Sequence, residues 1–270
     1  MIDVILKLLA ISLYGFAGIL VWRWLSSGSA LDGRTRGAIL ALGAAGAAVH
    51  AMILYGSLGL GTGINLALTT AISLIAWVLA LLFLLTTLKQ PIESLGVVIL
   101  PLAGLTILVH WLWPGTHFLS SASSVQSVHV VISLLAYALL SLGGVQSILL
   151  LIQERHLRRH HPGGFIRALP PLQTMESLMV GIIELGFVLL TLTLISGLFF
   201  SEAIFGKPLT LTHHTLLATL SWLVFAVFLL GRWRFGWRGR TAVRWVLGGC
   251  ILLALAYFGT KFVLEVLLGR

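Results

Sequence analysis

The chain has 270 residues, of which 59% are hydrophobic and only 9% charged, with a mean hydropathy of +1.06. Soluble domains carry about 45–50% apolar and about 25% charged residues, so a water-soluble globule and a disordered chain are both excluded. The excess of 17 Lys and Arg over 8 Asp and Glu gives a net charge of +9, whose meaning depends on where the basic residues fall.

A spanning helix needs about 20 mostly apolar residues. Eight such runs occur, at 4–25, 38–58, 65–88, 94–112, 127–152, 178–200, 212–231 and 243–268, separated by turn signals or charge clusters such as Lys89-Gln90-Pro91, Pro114-Gly115 and Arg232 to Arg240. The pattern predicts an all-α, polytopic bundle of eight transmembrane helices forming one domain over residues 1–270. Asp3 and Lys7 flank a first run that reaches Trp24 without a small-residue cleavage pattern, so it reads as a span rather than a cleaved signal. The lone cysteine, Cys250, rules out a disulfide framework and a Cys-x-x-Cys-His haem attachment site.

Alternating spans sort the basic residues by side. Arg23, Arg34, Arg36, Lys89, Arg155, Arg158, Arg159, Arg167, Arg232, Arg234, Arg238, Arg240 and Arg244 share one side; Lys7, Lys207, Lys261 and Arg270 share the other. The positive-inside rule places the larger set in the cytoplasm and both termini outside, in a bacterial inner membrane. The charge is therefore read as topology and contact with anionic headgroups, with no nucleic-acid partner.

Polar residues within the spans carry the functional signal, because an ionisable group in the bilayer is costly. His156, His160 and His161 fall in the basic loop and read as solvated. The other histidines fall toward the outer side: His110 ends the fourth span, His117 follows it, His129 opens the fifth, and His213 and His214 open the seventh. His50 stands inside the second span among small apolar residues. It reads either as a metal ligand or as a histidine bonded to a carbonyl or hydroxyl of a neighbouring helix. His129, Ser133 and Tyr137 are spaced i, i+4, i+8 on one helical face, which suits an axial ligand with hydrogen-bonding support or an ordinary polar seam. At about 1.5 Å per residue His50 is about 12 Å deep and His129 about 3 Å, a gap that helix tilt would have to absorb. Glu184 and Gln146 fall at similar depth and are expected to hydrogen-bond. Trp22, Trp24, Trp111, Trp113, Trp233 and Trp237 sit near span ends as an aromatic belt, with Trp77 and Trp222 deeper. No phosphate loop, paired carboxylates or His-Glu-x-x-His motif occurs, so no catalytic residue is assigned.

The run Gln126-Ser127-Val128-His129-Val130, continued by Ser133 to Leu139, resembles the histidine-bearing helix of the CcsA/ResC-type cytochrome c assembly superfamily. Leu185 to Thr193 with Ser196-Gly197, Ser221 to Ala226 and Ala256-Tyr257-Phe258-Gly259 resemble its last helices. The Trp237-Arg238-Gly239-Arg240 turn and the eight-span length are most similar to its YpjD/HemX branch. Where the family has a tryptophan-rich haem-presenting tract, this chain has Ser201 to Pro208, and of the family's haem-ligand histidines only His129 has a direct counterpart.

The resemblance implies a CcsA-like fold, best matched over 126–260, and contact with non-covalent haem b. On this reading the protein handles haem on the outer half of the bundle, in cytochrome c assembly or a related haem-linked step. His50 and His129 are the expected axial ligands, since imidazoles on facing helices suit low-spin iron. His213 or His214 is the reserve ligand, Ser133 and Tyr137 support the site, and Lys207 is the basic candidate for the propionates. Haem, the lipid bilayer and other cytochrome assembly or membrane proteins are the expected partners. Two other classes stay open: a small transporter whose polar path uses Glu184, Gln146 and His50, and a non-catalytic scaffold docking a partner on its basic loops.

Overall fold

Inside a bilayer every backbone N–H and C=O must find its partner within the protein, so long apolar runs close into helices. The computed structural model describes residues 2–58, 64–65, 67–115, 118–119, 124–158, 166, 168–199 and 212–263. The eight expected spans are all helices: α1 (Ile2–Ser27), α2 (Gly33–Leu58), α3 (Leu68–Thr87), α4 (Gly96–Leu112), α5 (Ser124–Arg158), α6 (Leu172–Phe199), α7 (His213–Phe235) and α8 (Gly239–Ala254). A 3-10 turn, Glu93–Leu95, leads into α4, and a π-helical turn, Leu255–Gly259, extends α8. All eight are long and apolar enough to cross a membrane. To this all-α architecture the described connections add a two-residue antiparallel pair, β1 (Ile64–Asn65) with β2 (Phe118–Leu119). His117, His160, His161, Lys207 and the Ser201–Pro208 tract lie outside the described residues.

Several helices overrun their apolar segments, α5 and α6 by the most. α5 continues to Arg158, because the backbone ladder persists outside lipid and Glu154 pairs with Arg158 one turn on, at 2.8 Å. α6 begins at Leu172, directly after Pro170-Pro171, rather than at 178. Proline fixes φ and leads readily into a first turn. The α7 C-terminus is set by Gly236, whose φ of 65° lets its N–H reach the Arg232 carbonyl while the Trp237 N–H bonds that of Gly231.

The chain forms two compact units, residues 1–120 with 152–172, and residues 121–151 with 173–270. In the first, α1 packs on α2 and α4, and α3 on α2 and α4. Tyr14, Leu25, Ile39, Leu54, Phe83, Leu100 and Ile107 fill its interior. In the second, α5 packs closely on α6, where Gly143 and Gly186 stand. A Cβ on Gly143 would come within 2.4 Å of Ile183 Cδ1, and one on Gly186 within 2.8 Å of Leu140 Cδ2. Lipid is as apolar as leucine, so such dispersion contacts and interhelical hydrogen bonds, rather than water exclusion, hold the helices together. The outward positions are correspondingly apolar, as at Phe16, Ile19, Leu185, Val188, Leu198 and Ile251.

Just outside the second span, Asp32 accepts from the Thr35 N–H at 3.2 Å. Hydrogen bonds from Thr35 hold its carboxyl below the ordinary 3.8. A depressed carboxyl stabilises the helix start above its unfolded value, and that contribution disappears as pH falls through the folded value. Amide exchange in the first turn of α2, corrected for intrinsic rates, is expected to accelerate as pH falls below 3.8, and Asp32→Ala should remove that acid response.

Candidate functional site

Apart from His156, which bonds the Ile152 carbonyl of its own helix, the described histidines fall into two clusters, one per unit. In the first unit His50 is fully buried on α2. Its Nε2 lies 2.8 Å from Ser73 Oγ on α3, and its Nδ1 lies 3.5 Å from the Tyr14 hydroxyl on α1, whose ring meets it edge-on. Both ring nitrogens thus face hydroxyls, the hydrogen-bonded arrangement of the two readings open from sequence. His110, near the end of α4, is similarly engaged: Nδ1 with Thr69 Oγ1 at 3.3 Å and Nε2 with Ser57 Oγ at 3.1 Å. Asn65 completes this end of the unit, donating to the Ser57 and Gly115 carbonyls and accepting from the Ala67 N–H. Trp77 donates its indole N–H to the Ala47 carbonyl.

In the second unit, the start of α5, the end of α6, the start of α7 and the π turn after α8 converge. His129, in the second turn of α5, is half-buried, and its Nδ1 lies 2.7 Å from Ser196 Oγ on α6. Gly197 stands beside it; a Cβ there would be in ordinary contact with His129 Cε1, at 3.6 Å. Thr212 caps α7, its hydroxyl accepting from the Thr215 N–H, and this fixes His213 and His214 in the first turn. His214 meets the Tyr257 ring edge-on, with centroids 6.3 Å apart. His213 is exposed on the same turn.

The π turn builds the aromatic part of this cluster. π turns inside α-helices shift the register of the side chains that follow and recur at functional sites. Here Tyr257 packs against Tyr137 of α5 at 5.6 Å and Phe258 at 5.5 Å, and Lys261 Nζ stands 5.7 Å from the Tyr257 ring centroid. Tyr137 also donates to the Leu253 carbonyl at 3.0 Å, tying α5 to α8. Ser133 donates to the His129 carbonyl at 2.7 Å, so its hydroxyl serves its own helix rather than the imidazole. Nearby, Trp222 stacks on Phe187 and donates to Thr191 Oγ1 at 2.8 Å.

The structure therefore sets His214 and Tyr137 against Tyr257 and His129 against Ser196, while His50 belongs to the first unit. Sequence reasoning missed Ser196 as the partner of His129, and it missed Tyr257 and Lys261. Ser196-Gly197 and Ala256 to Gly259 were visible only as parts of the resemblance, and Lys261 only as a basic residue on the same side as Lys207.

The expected Gln146–Glu184 hydrogen bond does not form. Gln146 donates to the Met175 carbonyl at 3.1 Å, and Glu184 is exposed on the outer surface of α6. Depth along two helices sets height but not rotation. Ile183 and Gly186 face α5, which turns Glu184 away.

Imidazole nitrogen, aromatic faces and an ammonium group are the donor types that a haem group takes for its iron, its ring and its propionates. His129 has the property usual in metal-bound histidines, a ring nitrogen held by a hydrogen bond from outside the metal site. The residues of the second unit fit such a group. Among the described residues no set of three or more His, Cys, Asp or Glu is arranged to hold a bare metal ion.

The profile of the family described as "Cytochrome C assembly protein" matches residues 38–268, and so takes in all four helices of the His129 cluster. The chain is 34% identical over 140 residues to "Inner membrane protein YpjD" of Escherichia coli K12, covering 52% of each protein. It is 29% identical over 138 residues to "Cytochrome c biogenesis protein CcsA" of Chlamydomonas reinhardtii, covering 51% of this chain and 38% of that protein. Over 131 residues it is 24% identical to "Protein HemX" of Brevibacillus brevis, 48% of each. The matched segments span about half the length of these relatives or less. With a profile that runs through seven of its eight spans, the chain belongs to the cytochrome C assembly protein family.

Proposed function

We propose that this protein binds haem b non-covalently at the histidine cluster of its second unit, in the inner membrane, and acts in cytochrome c assembly or a related haem-linked step. The observation that carries the reading is the convergence of His214, Lys261 and Tyr137 on the Tyr257 ring, with Tyr137 on the helix that carries His129. Family membership and the names of its relatives support the setting.

Each residue has a role that follows from its chemistry. Ser196 holds His129 Nδ1 and so fixes the ring's rotation, presenting Nε2 as the ligating atom. His214 is the second imidazole, with exposed His213 as its substitute. Tyr257, backed by Tyr137 and Phe258, supplies a flat apolar face, and Lys261 an ammonium for a carboxylate. When bound, haem would supply a redox-active iron. His50, with both nitrogens facing hydroxyls, braces the first unit in this reading rather than ligating iron. The basic asymmetry puts the histidine ends of the helices and both termini on the periplasmic face.

The test is the visible spectrum of the detergent-purified protein, oxidised and dithionite-reduced, with a haemochrome assay after expression with added haem. A sharp reduced α-band and near-stoichiometric haem b are expected. Lys261→Ala should weaken haem retention about tenfold while leaving the band position unchanged, since an outer propionate contact does not touch the iron. A colourless protein under these conditions would overturn the proposal.

A further inference from the structure

Among the described residues, Glu184 is the one acidic side chain far from both ends of its helix. At 1.5 Å per residue it lies about 18 Å from the start of α6 and about 22 Å from its end. Glu184 is exposed and takes part in no hydrogen bond or ion pair with any described residue. Carboxyl groups within a span almost always face a bundle interior or pair with another polar group, because hydrocarbon offers neither water nor counter-charge. A lone outward-facing carboxyl at this depth is therefore half of an interaction.

Its surroundings give the shape of the other half. Ser177, Gly181, Glu184, Leu185, Val188, Leu192 and Ile195 recur at helical spacing along one exposed strip of α6. A Cβ at Gly181 would meet no atom within 4 Å, so the strip is shallow beside the carboxyl, where a second helix backbone can approach closely. A second copy of this chain does not supply the complement. Every described Lys and Arg lies in a loop or within about two turns of a helix end, none at the depth of Glu184, and a symmetric α6 pair would set carboxyl against carboxyl.

We propose that the Ser177–Val188 face of α6 docks a transmembrane helix of another polypeptide, one that carries a lysine or arginine level with Glu184. In the low dielectric of the bilayer, the pair neutralises two groups that are each costly alone, so the contact selects its partner by charge as well as by shape. Neither element belongs to the haem site, and the proposal stands or falls separately from the haem reading.

The test places donor-labelled full-length protein in lipid vesicles with acceptor-labelled synthetic Leu/Ala helices carrying a single central Lys, or Leu in its place, and reads energy transfer. The Lys helix is expected to associate about tenfold more strongly than the Leu helix. Glu184→Leu should abolish that preference, and Gly181→Phe should reduce association of the Lys helix by obstructing the strip. Both variants change only outward-facing atoms, so the fold survives them. Equal association of the two helices, or a Lys preference that persists in Glu184→Leu, would overturn the proposal. So would Glu184-dependent transfer between two copies of the protein, which would make the occupant a second copy.

Discussion

His129→Ala is expected to take haem b from near-stoichiometric to undetectable in the purified protein, while the chain stays folded. The cost to the fold is small, since the half-buried imidazole's bond to Ser196 is worth about 1 kcal/mol in general. Ser196→Ala separates ligand from support. It leaves the imidazole in place but frees its rotation, and losing such an outer hydrogen bond typically lowers metal affinity 10–100-fold. The ordered series is wild type, then Ser196→Ala, then His129→Ala, read by haem titration and by the reduced α-band. Retention of an unchanged spectrum in His129→Ala would remove the ligand assignment, and equal loss in both variants would mean that Ser196 does more than orient the ring.

The second large effect concerns stability. Arg232 of α7 donates through Nη1 both to Glu176 Oε1 of α6 and, at 2.9 Å, to the Trp237 carbonyl in the turn before α8. The side chains are 22% and 12% exposed. One guanidinium thus joins α6, α7 and the turn before α8 at the end of the unit away from His129. Glu176→Leu leaves that guanidinium nearly buried with one neutral acceptor. Fully buried pairs cost about 3–5 kcal/mol when one partner is removed, and this pair's partial exposure brings the expectation to about 2–3 kcal/mol. In a double-mutant cycle, adding Arg232→Leu to Glu176→Leu should recover part of the loss, because the unpaired charge is then gone. Additive losses from the two changes, measured by thermal unfolding in detergent, would show that the ion pair is not coupled.

These two sites differ in how far the sequence disclosed them. His129 stands out on an apolar background, and any reading that weighs the cost of a polar group in lipid finds it. Ser196 is 67 residues away and sits among ordinary apolar neighbours, and hydroxyls within spans commonly bond their own helix. Nothing local distinguishes the one that reaches across. Tyr257 and Lys261 are hidden for a further reason. Their direction depends on the π turn after α8, an irregularity that the apolar run 243–268 does not announce. His50 shows the converse, being conspicuous in sequence yet already hydrogen-bonded to Ser73 and near Tyr14 once the first unit folds.

The sequence by itself determined the eight spans and the all-α class. These follow from the length of hydrocarbon to be crossed and from the need to satisfy the backbone within each span. It did not determine which way each polar side chain faces. Gln146 and Glu184 agree in depth, but close approach at Gly143 and Gly186 fixes the rotation of α6 against α5, sending Gln146 to the Met175 carbonyl and Glu184 outward. Only the tertiary structure decided those partners. In a chain apolar all round, helix rotation is set by a few small residues and interhelical hydrogen bonds, not by a hydrophobic stripe that the sequence could display.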